Sequence, residues 1–118
     1  GTIQGNLCYP SEILPAGRII AKDINTNQIY ENDYQGAPPL KSSEYSIYVP
    51  PGNYYLKYQV GLDEKYRING YHTSCEGESN CNEPSSHILT PVEVKSGQTA
   101  EGIKICDFYY QPDQEPEF

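Results

Sequence analysis

The chain has 118 residues, a formal net charge of -8 and only 36% hydrophobic residues, with 12 tyrosines and no tryptophan or methionine. This length fits a single domain, and the low apolar content predicts a thin core that depends on tyrosine. The acidic balance argues against nucleic acid or an anionic lipid surface as a partner, because both carry negative charge. No apolar run in the sequence is long enough for a transmembrane segment.

Segments of alternating apolar and polar residues predict β-strands along the chain. The clearest is 44–60, EYSIYVPPGNYYLKYQV, where two alternating runs flank Pro50-Pro51-Gly52 and predict a hairpin. We expect Gly52 to take a positive φ, because it ends a proline-glycine turn. The predicted strands, in chain order, are 2–8, 18–24, 28–34, two within 44–60, 88–95 and 100–107.

Seven short strands separated by turns predict an all-β domain of the two-layer sandwich type over residues 1–110. Residues 61–87 are polar and predict a long loop insertion in that domain. Residues 111–118 are rich in proline and acids, and predict a flexible tail. No second domain or internal repeat is visible.

Three segments carry a resemblance to a known family: GTIQGNL, YSIYVPPGNYYLKYQ and PVEVKSGQTAEGIKI. Together they resemble the carboxypeptidase regulatory-like domains of the transthyretin-like (prealbumin-like) group, over roughly residues 1–107. The resemblance implies a seven-stranded Greek-key β-sandwich with a non-catalytic accessory or binding role. It bears on fold more than on activity, because one fold serves many functions.

Four cysteines in a small acidic chain indicate an oxidising compartment. We therefore expect a secreted, periplasmic or cell-surface protein whose export signal has been removed, and a tethered lipoprotein would have the same sequence features. Four cysteines allow three pairings. Alternation puts Cys8 and Cys106 on the outer sides of the first and last strands, which favours Cys8–Cys106 together with Cys75–Cys81 closing the long loop.

A metal site is the alternative use of this loop. His72 and His87 flank the Cys75 and Cys81 pair, and zinc accepts such ligands in tetrahedral geometry. The spacing does not match a standard zinc finger, and an oxidising compartment favours the disulfide. We therefore predict no metal and no cofactor, with a surface site of His72 and His87 as the alternative.

Catalytic constellations are sparse. The chain has no Gly-x-Ser-x-Gly elbow and no phosphate loop, and the hydroxyls of Ser85-Ser86 directly precede His87, a spacing that rarely builds a triad. The transthyretin-related hydroxyisourate hydrolases end in a Tyr-Arg-Gly-Ser motif, whereas this sequence ends Glu-Pro-Glu-Phe. The protein is therefore predicted not to be an enzyme.

Tyrosines on outer strand faces and in the long loop are the candidate binding residues, because tyrosine joins a flat apolar ring to a hydroxyl group. The predicted contact residues are Tyr66, Arg67, Tyr71, Tyr48 and Tyr55. Cross-strand aromatic packing on a wet face is the other explanation for such tyrosines. We expect a binding or adhesion module for a protein or a cell-surface glycan, monomeric or weakly oligomeric. The alternatives are a small hydrolase or metal-binding protein using His72 and His87, and a structural spacer.

Overall fold

The computed structural model describes residues 1–8, 16–34, 43–61, 68–75, 87–108 and 110–118, with only the backbone of Pro112. This part of the chain is all-β, as predicted, and forms two sheets. Its strands are β1 (Thr2–Asn6), β2 (Gly17–Asp23), β3 (Ile29–Tyr34), β4 (Glu44–Tyr48), β5 (Gly52–Val60), β6 (Ile68–Tyr71), β7 (Val92–Val94) and β8 (Thr99–Ala100). A single turn of 3₁₀ helix spans Pro112–Gln114. Among the described residues, no helix has the length and apolar character that crossing a membrane requires.

The smaller sheet has the order β4-β1-β8, with β1 antiparallel to β4 and parallel to β8. The larger sheet has the order β3-β2-β5-β6. Strand β7 pairs with the beginning of β5, while β6 pairs with its end. Both therefore lie along the edge of β5 that is opposite β2.

The core lies between the two sheets and follows from the alternation of each strand. Ile3 and Ile47 face inward from the smaller sheet, and Leu56 faces inward from the larger one. Tyr54 and Tyr58 are fully buried beside them, which confirms that tyrosine replaces part of the aliphatic core. Tyr30 and Tyr34 of β3 pack edge-on against these two rings, with centroids 6.0 and 5.8 Å apart.

The predicted hairpin at 44–60 is wrong in its pairing. Strand β4 pairs with β1 and β5 pairs with β2, so Pro50-Pro51 carries the chain from one sheet to the other. Gly52 also lacks the positive φ expected of it, since the described glycines with positive φ are Gly61, Gly97 and Gly102. Alternation predicts which residues face inward, but it does not say which strand each one pairs with.

The segment predicted as one closing strand, 100–107, is interrupted. Thr99 pairs with Thr2, which is 97 positions earlier, whereas Ile105 pairs with Leu7, which is 98 positions earlier. One extra residue therefore enters this side of the pairing, as in a β-bulge. Gly102 lies between the two pairings and has a φ of 72°, a value that glycine adopts easily.

Cys8 and Cys106 form a disulfide, as the alternation of their strands predicts, with a Cα–Cα distance of 4.5 Å. The amide of Cys8 donates to the carbonyl of Ile105, which brings the end of β1 beside the closing segment. Cys75 is also disulfide-bonded. The predicted pairing of Cys75 with Cys81 lies outside the described residues, because Cys81 is not among them.

The segment 61–87, predicted as a loop insertion, contains strand β6. This strand pairs residue for residue with the end of β5, from Lys57 with Tyr71 to Val60 with Ile68. Its sequence, Ile-Asn-Gly-Tyr, is too short and too polar to show an alternating pattern. Pairing with a long, buried neighbour therefore decides its conformation.

Candidate functional site

The outer face of the smaller sheet carries a row of polar side chains. Register places Gln4 opposite Ser46 and Asn6 opposite Glu44, with Tyr48 at the end of the row. The inner neighbours of these residues are the core positions of β1 and β4, so alternation turns the row toward solvent. Tyr48 is 77% exposed, which makes it the most exposed large hydrophobic residue of the described part of the chain.

An open hollow of about 460 Å³ lies on this row. Its lining residues are Gln4, Gly5, Asn6, Glu44, Tyr45, Ser46 and Gly102. The side chains of this lining are mostly amides, hydroxyls and a carboxylate, so the hollow presents both hydrogen-bond donors and acceptors. Its volume falls within the range of small-molecule sites.

Hydrogen bonds position the groups around this hollow. The amide of Gln4 donates to Glu101 at 3.5 Å, and the hydroxyl of Ser43 donates to the side-chain oxygen of Asn6 at 3.4 Å. Asn32 of β3 donates to the carbonyl of Ser46 at 2.6 Å, which ties the edge of the larger sheet to β4. The polar row is thereby held from both sides.

A second cluster is buried where β6 and the closing segment meet. Tyr71 and Asp107 exchange two backbone hydrogen bonds of 3.1 Å, which fixes the position of Asp107. The Asp107 carboxylate accepts a hydrogen bond from the hydroxyl of Thr73 at 2.7 Å and lies 2.7 Å from Nδ1 of His87. The side chains of His87 and Asp107 are both fully buried.

This cluster has the donor types of a metal site. The ligand atoms of Cys75, His87 and Asp107 all lie within 4.8 Å of one another. A disulfide sulfur, however, is not the thiolate that zinc binds, and Cys75 is disulfide-bonded. Every buried side-chain nitrogen and oxygen of the described residues has a hydrogen-bond partner.

The same geometry does not match a nucleophilic triad. Thr73 donates to the carboxylate of Asp107, whereas a catalytic hydroxyl must donate to the imidazole. The His87 side chain has no exposed surface through which a substrate could approach it. The arrangement is that of a buried polar network that connects three segments of the chain.

The predicted site residues are scattered. Nδ1 of His72 lies 2.6 Å from the carbonyl of Lys104, so this histidine takes part in a different contact from that of His87. Tyr48 is exposed and Tyr55 is half-buried, whereas Tyr71 is only 2% exposed, contrary to its predicted place in an open loop. The predicted contact residues Tyr66 and Arg67 lie outside the described residues.

Burial affects the ionisation of Tyr71. Burial, followed by the hydrogen bond and the charge of Glu115, raises the pKa of Tyr71 well above its usual value. The phenol thus stays protonated and donates to Oε2 of Glu115 at 2.6 Å. This tyrosine is therefore covered and engaged in an internal contact, in place of the open position predicted for it.

Sequence reasoning missed Asp107 and the polar row. Asp107 continues the inward alternation of Ile103 and Ile105, so an acid at an apolar-facing position was the available signal. Gln4 and Asn6 gave no such signal, because polar residues on the outer face of a strand are ordinary.

Comparisons with family models, curated proteins and solved structures found no match to this chain. The resemblance to carboxypeptidase regulatory-like domains therefore stays a hypothesis, carried by the sequence segments alone.

Proposed function

We propose that this protein is an exported, non-enzymatic binding module that holds a carbohydrate against the outer face of its smaller sheet. The observation that carries the proposal is the hollow of about 460 Å³ lined by amides, hydroxyls and a carboxylate on the same face as an exposed tyrosine. Sugars offer many hydroxyl groups for such donors and acceptors, and an apolar ring face for stacking.

The spacing of these groups fits an extended ligand. Tyr48 lies two residues beyond Ser46 on β4 and on the same face, which corresponds to roughly 7 Å along the strand. A sugar chain that lies along β4 would therefore contact the polar row and the aromatic ring together.

The resemblance to carboxypeptidase regulatory-like domains supports the same role. We also propose that the two sheets share the Greek-key arrangement of that group. Export is supported by the Cys8–Cys106 disulfide and the disulfide of Cys75, because such bonds persist in oxidising compartments.

A glycan array followed by calorimetry with the strongest oligosaccharide tests the proposal. The variants are Tyr48→Ala and the double variant Gln4→Ala with Asn6→Ala, and Ile88→Ala is the matched control at an exposed apolar position elsewhere. We expect each test variant to weaken binding at least tenfold, or about 1.4 kcal/mol, with unchanged melting. Equal binding by the parent and by both test variants would place the glycan elsewhere, and an array without signal would refute the proposal.

A second candidate function, transition-metal binding, is favoured by the grouping of Cys75, His87 and Asp107 within 4.8 Å. Zinc accepts thiolate, imidazole and carboxylate ligands. A phosphine reductant adds two electrons and, with two protons, converts the disulfide of Cys75 into two thiols. The Cys75 thiol then loses its proton on binding zinc.

The metal candidate is tested by zinc titration of the oxidised and the phosphine-reduced protein against a chromophoric chelator. We expect one zinc per reduced chain, none per oxidised chain, and loss of zinc from the reduced Asp107→Asn variant. Asp33→Asn is the matched control, because the Asp33 side chain is 72% exposed. Failure of the reduced parent to take up zinc excludes this function and leaves the carbohydrate proposal untouched.

A further inference from the structure

The outer face of the larger sheet contains a tyrosine that is buried although it faces away from the core. Tyr71 pairs with Lys57, and the residues of β5 on either side of Lys57 point into the core. Tyr71 therefore lies on the outer face of the sheet, yet it is only 2% exposed. Something outside the sandwich covers this ring.

The covering segment includes the acidic tail, residues 111–118. The Tyr71 hydroxyl donates to Oε2 of Glu115 at 2.6 Å, and the Phe118 ring centroid lies 6.4 Å from that of Tyr71. The ammonium group of Lys57 lies 4.5 Å from the centroid of the Phe118 ring, and that of Lys22 lies 5.9 Å from it. Both distances fall within the range of cation–π contacts.

Side chains rather than backbone pairing hold the tail in place. Within the described residues, the one backbone–backbone hydrogen bond of the tail is internal and joins the amide of Gln114 to the carbonyl of Gln111. Pro116 and Glu117 leave a hollow of about 240 Å³ between the tail, Tyr55 and the segment 87–89. A segment held by side-chain contacts and without backbone pairing to the sheet can exchange with a competitor.

We propose that the outer face around Lys22, Lys57 and Tyr71 is a docking surface for an acidic peptide segment with an aromatic side chain, supplied by a partner protein, and that the tail occupies this surface in the isolated chain. The surface supplies two ammonium groups and a phenol donor. The tail supplies the complementary groups, a carboxylate at Glu115 and a ring three residues later at Phe118. A partner segment with the same spacing would make the same contacts.

The charge distribution supports this choice of partner. The chain has 8 basic residues against 16 acidic ones, and two of the basic residues lie against one ring of the tail. A local concentration of lysines on an acidic protein attracts an acidic segment and is an unfavourable contact for a basic one. This surface is separate from the polar row of the smaller sheet, so the inference is independent of the proposed carbohydrate function.

The tail competes with a partner segment at a high effective concentration, on the order of millimolar for a short linker. A partner peptide should therefore bind the parent weakly. A substitution that weakens the contacts of the tail but leaves the docking surface unchanged should increase the apparent affinity for the peptide by about tenfold or more. The tail then occupies the surface in a smaller fraction of the molecules.

The test uses a fluorescein-labelled peptide with the sequence of residues 111–118, QPDQEPEF, and measures its anisotropy with the full chain and its variants. We expect Phe118→Ala to bind the peptide at least tenfold more tightly than the parent does. Adding Lys57→Gln to this variant should abolish the gain, whereas adding Lys95→Gln, which changes an exposed lysine elsewhere, should not. A control peptide with the phenylalanine changed to alanine should not bind.

Glu115→Gln is a second way to weaken the tail and keeps the inference testable if Phe118→Ala alters the fold. Melting curves are compared first for every variant. If neither variant binds the peptide more tightly than the parent does, the tail is a permanent part of the fold and the docking surface does not exist. If the gain survives Lys57→Gln, the peptide binds elsewhere and the assignment is equally overturned.

Discussion

Gly5 is a position where the absence of a side chain has a direct structural reason. It lies in the middle of β1, with its missing Cβ directed at the backbone of Ile103 in the closing segment. Any Cβ there would overlap the Ile103 carbonyl group, which also accepts a hydrogen bond of 2.8 Å from the Tyr45 hydroxyl. Backbone atoms cannot move aside as the end of a flexible side chain can, so the close approach depends on glycine.

Gly5→Ala and Gly52→Ala should therefore differ in their effect on stability. At Gly52 an added Cβ meets the Asp23 carboxylate at 3.0 Å and the Tyr54 side chain at 3.4 Å, and the backbone lacks a positive φ. We expect Gly5→Ala to lower the free energy of unfolding by about 2 kcal/mol or more, and Gly52→Ala to change it by less than about 1 kcal/mol. Urea denaturation of the two variants provides the comparison, and equal losses would contradict the close approach at Gly5.

At the scale of the elements, the closing segment, residues 100–107, connects the two sheets. Ile105 pairs with Leu7 just after β1, and Asp107 pairs with Tyr71 of β6. Its residues contact β1 through the amides of Ile103 and Ile105, which donate to the carbonyls of Gln4 and Asn6. The bulge at Gly102 shifts the register by one residue between these contacts and β8. The hydroxyl of Tyr45 then bonds to the carbonyl of Ile103, which links β4 to the same segment.

The buried Tyr45 hydroxyl, which donates to the carbonyl of Ile103, predicts a loss of stability at alkaline pH. Burial raises the pKa of Tyr45 well above its usual value, whereas a tyrosine in the unfolded chain ionises near pH 10. Above about pH 10 the unfolded chain loses a proton that the folded protein keeps, so the stability from this group is complete below that pH and falls as the pH rises further. We expect the free energy of unfolding to decline from about pH 10 upward.

Tyr45→Phe should make this decline shallower. Burial likewise raises the pKa of Tyr71 and Tyr110, so part of the slope should remain in the variant. Urea titrations at several pH values from about 8 to about 11 measure the slope, with Tyr48→Phe on an exposed ring as the matched control. A Tyr45→Phe slope identical to that of the parent would mean that Tyr45 does not cause the decline.

At the scale of the whole molecule, the Cys8–Cys106 disulfide joins residues separated by 98 positions. A bond that closes so long a loop removes much conformational freedom from the unfolded chain. The bond also lies next to the Leu7–Ile105 pairing, so it holds the closing segment beside β1 where regular pairing is interrupted.

Replacing both cysteines, Cys8→Ala with Cys106→Ala, should lower the free energy of unfolding by about 4 to 5 kcal/mol according to the chain-entropy relation. Replacement is preferable to chemical reduction, because a reductant also opens the disulfide of Cys75. Urea denaturation of the parent and the double variant, both without reductant, measures the difference. A loss below about 1 kcal/mol would show that the bond adds little to the constraints already present.

The sequence by itself determined the all-β class, the inward positions of most strands and the Cys8–Cys106 pair. Each of these depends on the two-residue period of a strand, which is a local property that a short segment already contains. The inward tyrosines of β5 and the exposed ring of Tyr48 follow from the same period. The outer row of Gln4 and Asn6 obeys it too, although nothing in the pattern distinguishes a binding face from an ordinary wet one.

Only the tertiary structure decided how these elements meet. It sends β4 and β5 to different sheets, recruits β6 from a polar segment and brings Thr73, His87 and Asp107 into one buried network. It also places Phe118 against Lys57, 61 positions earlier in the chain. Such contacts join segments that are distant in sequence, and their free energy comes from pairing, burial and charge in the assembled fold, so no local pattern encodes them.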